Sequence, residues 1–228
     1  MRKTALLMLI AVCLQCSAAT VRQSASASER SRSHQDVRRQ AGDFRWKRDD
    51  MIYSHVVCNG KKVDAIYKVV NGKFVTLGVD SYVQAAVDTT IAGRVEVPWL
   101  VTAPDGHVFR VMGVGRHCFG DCRRLTEVVL PDSLKDIGDQ AFMNCRSLRS
   151  IVLPHGLRYI WPYAFRGCSR LNRIEVRAAV PPDSYNDVFD ERTMRFATLV
   201  VPAASADQYR NSFVWNMFRY FAPNWDTK

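Results

Sequence analysis

Seven cysteines and five histidines are the side chains of this 228-residue sequence best suited to chemistry. Cys122, Cys145 and Cys168 recur at a 23-residue step, with His117 and Cys118 just before the first. Thiolate and imidazole can hold zinc, but zinc wants four ligands converging at about 2.0–2.3 Å on one point. A regular ladder strings its thiols along an axis instead, and the close-spaced ligand pairs of zinc modules are missing, so no metal is expected. Disulfides between neighbouring rungs are the nearer alternative, because a rung spacing of about 4.8 Å lies within the Cα range for a bridge. Parallel Cβ vectors keep the Cβ atoms near that same spacing, beyond the usual roughly 3.5–4.5 Å, so a ladder of buried thiols is the expectation. His117 beside Cys118 suggests a nucleophile and its base. Neighbours on a strand point apart and no third group orients the pair, so His117 is read as facing solvent.

Other catalytic signals are missing from the sequence: no H-E-x-x-H, no G-x-S-x-G, no phosphate-binding Walker loop. Gly113-Val114-Gly115 lacks the third glycine of a dinucleotide loop and reads as a corner. The repeats align Glu127, Ser150 and Arg173 in one outward column and Val129, Val152 and Glu175 in the next. Neither column pairs two acids as a glycosidase does, so a polysaccharide-active enzyme is the weaker alternative and the chain is read as non-catalytic, without cofactor. Basic residues give the stronger lead. Thirty-two Lys and Arg against 22 Asp and Glu leave a formal charge of +10, which favours anionic partners. Between Arg110 and Arg177 lie eleven Arg and one Lys against six carboxylates. Arg123 aligns with Arg146, Arg124 with Arg170, and Arg149 and Arg173 fall on the strand side. Guanidinium forks match sulfate, carboxylate or phosphate, so Arg123, Arg146, Arg149, Arg170 and Arg173 are the candidate ligand-binding residues. A solvated face that keeps solenoids from stacking on one another is the plainer alternative. Nucleic acid is not expected, since no binding module is recognisable and the chain is read as exported.

These side chains are positioned by a repeat. Three segments beginning at Phe119, Phe142 and Phe165 align without gaps. Matching positions include Leu125, Leu148 and Leu171, then Val128, Ile151 and Ile174, then Leu130, Leu153 and Val176, with Pro131 and Pro154 after the first two. Each unit holds one short alternating strand ended by proline, and no single unit can bury its apolar side chains alone. Stacked coils can, so a parallel solenoid of 23-residue coils is predicted, with a cap at each end. Upstream, MIYSHVV, KKVDAIYKVV and KFVTLGV are separated by Asn59-Gly60 and Asn71-Gly72, which predicts two β-hairpins with type I′ turns. Downstream, Thr198–Val201 reads as a last strand outside the strict period, Ala203–Ser212 as a short helix, and FVWNMFRYF as cover for the open end of the core.

The units IGDQAFMNCRSLRSIVLP (137–154) and IWPYAFRGCSRLNRIEV (160–176) resemble the BspA-type leucine-rich repeat, roughly I-G-x-x-A-F-x-x-C-x-x-L-x-x-I-x-I/L-P. The resemblance extends over about 90–220, including a strand, Pro and helix with trailing Trp and Phe. Departures are Cys118 at the place of Ala141 and Ala164, Trp161 at the place of the usual Gly, and Arg177 where Pro is missing from the third unit. It implies a β-rich repeat solenoid, leucine-rich-repeat-like, in a secreted or surface-exposed protein of host-associated bacteria, similar to adhesins that bind host or neighbouring-cell components.

Arg2 and Lys3 precede a ten-residue apolar run, Ala5–Leu14, with small residues before a cut after Ala19, as in a secretory signal peptide. That run is half the length of a membrane span, so no transmembrane segment is expected. Lipidation at Cys16 is the rival, weakened by Gln15 where a small residue belongs. The expected organisation is a signal peptide (1–19), a disordered basic linker (20–48), a β-hairpin N-terminal cap (49–90), a solenoid (91–201) and a C-terminal cap (202–228). The expected protein is a secreted or cell-surface monomer whose partner is a host or bacterial surface protein or an acidic glycan. A structural envelope protein docking through aromatic surfaces near Trp215 and Phe218 is the alternative. Export leaves Cys58, Cys118, Cys122, Cys145 and Cys168, an odd number, so at least one thiol is free or paired between chains.

Overall fold

The structure, a computed structural model, describes residues 46–79, 85–185 and 187–224. The expected signal peptide, the Cys16 alternative and residues 20–45 of the expected linker lie outside the described residues. Asn59 (φ 49°) and Gly60 (φ 78°) both adopt the left-handed conformation of a type I′ turn. They join β1 (Met51–Cys58) to β2 (Lys61–Asn71) in full antiparallel register. The second turn departs from expectation, because neither Asn71 nor Gly72 has a positive φ. Instead the Asn71 side-chain oxygen accepts hydrogen bonds from the amides of Lys73 (2.9 Å) and Phe74 (3.2 Å). This Asx turn leads from β2 into β3 (Phe74–Leu77) with a register shift between Val69 and Asn71.

From this meander two parallel arms run down the molecule. One arm is β4 (Ala92–Glu96), β7 (Arg124–Val129), β9 (Ser150–Leu153), β11 (Arg173–Val176), β13 (Thr198–Pro202) and β14 (Tyr220–Asn224). The other, of shorter strands, is β6 (Val108–Val114), β8 (Asp136–Ile137), β10 (Tyr159–Ile160) and β12 (Asp183–Ser184). The first arm pairs antiparallel with β1 and the second parallel with β3, so the hairpins close both arms at once. A small strand, β5 (Leu100–Thr102), pairs only with β6. The 23-residue step of the sequence is therefore a hydrogen-bonded step in space, seen in Ser150 opposite Arg173 and Ile137 opposite Ile160.

A turn between the arms repeats its own bonds coil after coil. The amides of Phe119, Phe142 and Phe165 donate to the carbonyls of Ala141, Ala164 and Val188 in the following coil. Within each coil the cysteine amide donates to the phenylalanine carbonyl, and the leucine amide to the cysteine carbonyl. Two columns of left-handed residues shape this turn: His117, Gln140 and Tyr163, then Asp121, Asn144 and Gly167. The outcome is a continuous pile of rings. Phe119 on Phe142 and Phe142 on Phe165 are each 5.2 Å apart at 5°, and Phe165 on Phe189 is 5.3 Å apart at 9°. All four are buried.

Phe189 reveals a fourth coil that the sequence alignment misses. There the short-strand step lengthens to 24 (Tyr159 opposite Asp183) and the long-strand step to 25 (Arg173 opposite Thr198). The lengthened stretch holds α1 (Glu191–Phe196), whose buried side chain is Thr193 and not a cysteine. After β13 come a 3₁₀ turn and α2 (Ala206–Arg210), the predicted short helix. The aromatic tail then ends the ring pile by turning across it, with Trp215 and Phe218 meeting Phe189 at 63° and 79°. Buried polar atoms of the cap are satisfied: the Tyr209 hydroxyl donates to the Ala178 carbonyl at 2.7 Å, and the Trp215 ring nitrogen to the Pro182 carbonyl at 3.1 Å. Tyr220 onward does more than cover the core, since β14 adds a parallel strand to β13, and Pro223 sits on this terminal strand.

The five described cysteines are buried thiols without disulfides. Cys145 donates its S–H to the Phe119 carbonyl and Cys168 to the Phe142 carbonyl, both at 3.2 Å. Each thiol thus tethers its coil to the one before. Burial pushes the Cys122 and Cys168 thiols up to about 12 and raises Cys118 and Cys145 well above the ordinary range. His117 corrects its expected placement: its side chain is only 14% exposed, because Gly120 leaves room for the ring where a Cβ would lie within contact of it.

Two outcomes follow from this core. Phe142→Ala removes the middle of the ring pile and is expected to cost about 3–5 kcal/mol, read as a lowered urea midpoint. The thiols are protonated in both folded and unfolded protein below their ordinary pKa of 9.0; above it only the unfolded chain ionises until the folded value of about 12 is reached. Stability is thus fully present below that lower value and falls as pH rises through the window, by up to about 1.4 kcal/mol per pH unit for each thiol. Urea midpoints measured below and within the window should drop, and Cys168→Ala should flatten the dependence.

Candidate binding face

The corner where the thiol turn runs into the long-strand arm carries the arginines singled out in the sequence. Arg123 and Arg146 follow the left-handed residues Asp121 and Asn144, and each donates its amide to that residue's carbonyl at 2.7 Å. The same local fold therefore presents both side chains at the same place on successive coils. Arg170 lies one position further along the next coil, after Ser169, whose amide makes the equivalent bond to the Gly167 carbonyl. Arg149 precedes β9 and exchanges bonds with its neighbours, donating to the Thr126 carbonyl and accepting from the Asn172 amide. Arg173 opens β11 beside Ser150, itself beside Glu127. All five arginines are exposed.

Their electrostatic states differ. Arg123 reaches Asp121 at 3.4 Å and Arg173 reaches Glu175 at 3.5 Å, so both are partly neutralised. Glu175 also takes Arg177 at 3.1 Å, and Glu127 takes Arg94 at 3.3 Å. Among the described residues no carboxylate pairs with Arg146, Arg149 or Arg170. At the surface such exposed pairs are weak, so a polyanion displaces them at little cost, and the three unpaired guanidiniums are ready donors.

Sequence reasoning missed the continuation of this band. Arg192 on α1 donates to the Ser169 carbonyl at 3.4 Å, which sets the fourth coil's basic side chain beside the third's. Arg192 and Arg195 both lie over the exposed ring of Phe196, at 5.5 and 5.6 Å. The signal was hidden because α1 lengthens this coil and breaks the period.

The docking surface expected near Trp215 and Phe218 draws nothing from those two rings, while Phe213 and Met217 beside them stay exposed. Trp215 is 1% and Phe218 6% exposed, spent on closing the core. Another exposed apolar patch borders a hollow of about 880 Å³ whose lining includes Trp99, Val57, Val129 and Leu130 with Arg110 and Arg177. Among the described residues no group of three His, Cys, Asp or Glu could hold a metal, and no helix is long and apolar enough to cross a membrane.

Residues 110–213 match the family described as BspA type leucine rich repeat region, in six copies. Among solved structures, a leucine-rich repeat protein from Bacteroides capillosus is 25% identical, with 60% of this chain and 93% of that one covered and a TM-score of 0.48. A leucine rich cell surface protein from Faecalibacterium prausnitzii is 20% identical, covering 62% of this chain and 42% of that one, with a TM-score of 0.42. A leucine-rich repeat protein from Bacteroides ovatus is 19% identical, covering 79% and 41%, with a TM-score of 0.38. This chain thus spans less than half the length of the last two. No curated protein matches it. A 23-residue hydrogen-bonded step and a mostly parallel, helix-poor sheet make this chain a β-rich repeat solenoid, and its residues 110–213 match the BspA type leucine rich repeat region in six copies.

Proposed function

We propose that this protein is an exported, non-catalytic binding or adhesion module that recognises an acidic ligand at a host or bacterial surface, a glycan or a protein. The contact residues are Arg123, Arg146, Arg149, Arg170 and Arg173, continued by Arg192 and Arg195. One observation carries the reading: Arg146, Arg149 and Arg170 stand exposed on consecutive coils without a carboxylate partner among the described residues. A rigid solenoid holds such a row at a fixed spacing of about 4.8 Å per coil, so little ordering entropy is lost when a polyanion binds along it. A leucine-rich repeat region suggests a protein-binding or adhesion role, and the proposed organisation is a cap at 49–90, the solenoid at 91–201 and a second cap at 202–228. Export rests on the charged start, apolar run and small residues of 1–19. The second reading, a structural envelope protein docking to other proteins, draws its support from the hollow at Trp99.

Dextran sulfate and unmodified dextran, titrated at low and high salt, test the first reading. Binding to the sulfated polymer alone, weakened by salt, is the expected result. The double variant Arg146→Ser, Arg149→Ser should lose about tenfold or more in affinity, as charge-assisted bonds are removed, at an unchanged melting temperature. Unchanged affinity overturns the site assignment. Salt-insensitive cross-linking to a protein partner, lost in Trp99→Ala, supports the second reading.

A further inference from the structure

The outward face of the short-strand arm, away from the arginine band, carries two neighbouring side-chain columns. Strand register aligns Gly113, Asp136, Tyr159 and Asp183 in the first. Two positions along the chain, Gly115, Gly138, Trp161 and Tyr185 make the second. In that column Trp161 stacks on Tyr185, 6.1 Å apart at 24°. Tyr159, Trp161 and Tyr185 are 46%, 44% and 51% exposed. The two coils before Trp161 present only glycine. At Gly138 a Cβ would lie 2.7 Å from the Gly115 carbonyl carbon and 2.8 Å from the Arg116 nitrogen, so the close approach of the backbones keeps this stretch bare.

Trp161 therefore stands as a wall between two hollows. On the glycine side one of about 450 Å³ has three cations, Arg48, Lys68 and Arg116, facing three carboxylates, Asp49, Asp136 and Asp139. Lys68 pairs with Asp49 at 3.5 Å and Arg116 with Asp139 at 3.7 Å. On the other side one of about 500 Å³ is lined by Tyr159, Trp161 and Tyr185 with Asp136, Asp183 and Ser184. Asp136 and Trp161 belong to both, so the hollows meet there. From the Gly113 rung to the Asp183 rung is three steps, about 14 Å, which is room for more than one ring of an extended chain.

The balance of charge narrows the ligand. A polyanion on the glycine side would meet as many carboxylates as cations. An organic cation at the rings would meet two carboxylates, Asp136 and Asp183, of which Asp136 is raised above the usual carboxylate range by burial and already feels Arg158 and Lys135, and it would leave the hollow on the glycine side unfilled. An uncharged polyhydroxylated chain suits both halves: its hydroxyls donate to the carboxylates and accept from the cations without disturbing either set, and its apolar ring faces lie against the indole. A concave site with aromatic walls and a few convergent polar groups is the usual form of a small-ligand pocket.

We propose that this trough binds an uncharged oligosaccharide, with Trp161 as the stacking platform, Tyr159 and Tyr185 beside it, and Asp136 accepting hydroxyl hydrogen bonds at the junction of the two hollows. The site is separate from the arginine band and stands or falls independently of it.

The test uses the full chain and a panel of uncharged gluco-, manno-, xylo- and N-acetylated chito-oligosaccharides at high salt, followed by calorimetric titration of any that bind. At least one should bind with little dependence on salt. Trp161→Ala should weaken that binding by roughly tenfold or more, as loss of a central aromatic anchor does, and Tyr185→Ser should weaken it less. Arg146→Ser with Arg149→Ser should leave it unchanged. Trp161 is half exposed, so the melting temperature should hold; if Trp161→Ala fails to fold, Tyr185→Ser carries the test. Binding by no member of the panel overturns the proposal, as does binding that survives both aromatic variants. Binding of tetramethylammonium that depends on Trp161, without any sugar binding, overturns the ligand class.

Discussion

Every feature of this molecule depends on each coil finding the next in one register. A coil of this size contributes one phenylalanine, one thiol and a few branched aliphatic side chains to the interior, too little to offset the entropy of ordering it. Hydrogen bonds from the long strands, the short strands and the turn all fix the same step, and the ring pile from Phe119 to Phe189 lies within those three sets of bonds. The thiols add bonds of Cys145 and Cys168 to carbonyls of the preceding coil. A slip of one residue would turn every inward side chain to solvent, so register and burial enforce each other.

A stack held this way is only as good as its ends. At the first end, the two-hairpin meander pairs with both arms, so neither arm begins as an open edge. At the second, parallel stacking stops because Trp215 and Phe218 meet Phe189 in T-shaped contacts. Edge-to-face contact satisfies the ring quadrupole while offering no flat surface for another ring. The solenoid between these caps is stiff, and stiffness lets exposed residues at one position of the repeat act as a spaced row.

Much of this is legible in the sequence, because the repeat is written at several positions at once. Phe, Cys, Leu and Ile recurring together gave the coil, its strand and the inward thiols, while Asn59-Gly60 gave its hairpin. What escaped detection did so for local reasons. The lack of a cysteine and the lengthened stretch at α1 conceal the fourth coil. A side-chain hydrogen bond from Asn71 replaces the backbone conformation its dipeptide favours. Gly120 draws His117 inward, which neighbour-pointing rules cannot foresee. The tail FVWNMFRYF reads as cover for the core, and nothing in a linear pattern says which of its rings turn across the pile: Trp215 and Phe218 do, while Phe213 stays exposed. The arginines were visible as a column, but their pairing with Asp121 and Glu175 depends on side-chain reach. Trp161 was visible only as a departure from glycine; the hollows beside it need the backbone of the two preceding coils.

The placement of Pro223 bears on assembly. It lies opposite Val201 on β14, the last strand of the long arm, a position at the edge of the sheet where proline is tolerated. A protein whose fold is the repeated addition of like strands is at risk of continuing that addition with another copy of itself, growing head to tail into a filament. A terminal strand that carries proline is a poor template for the next molecule, so the same chemistry that builds the stack also limits its growth.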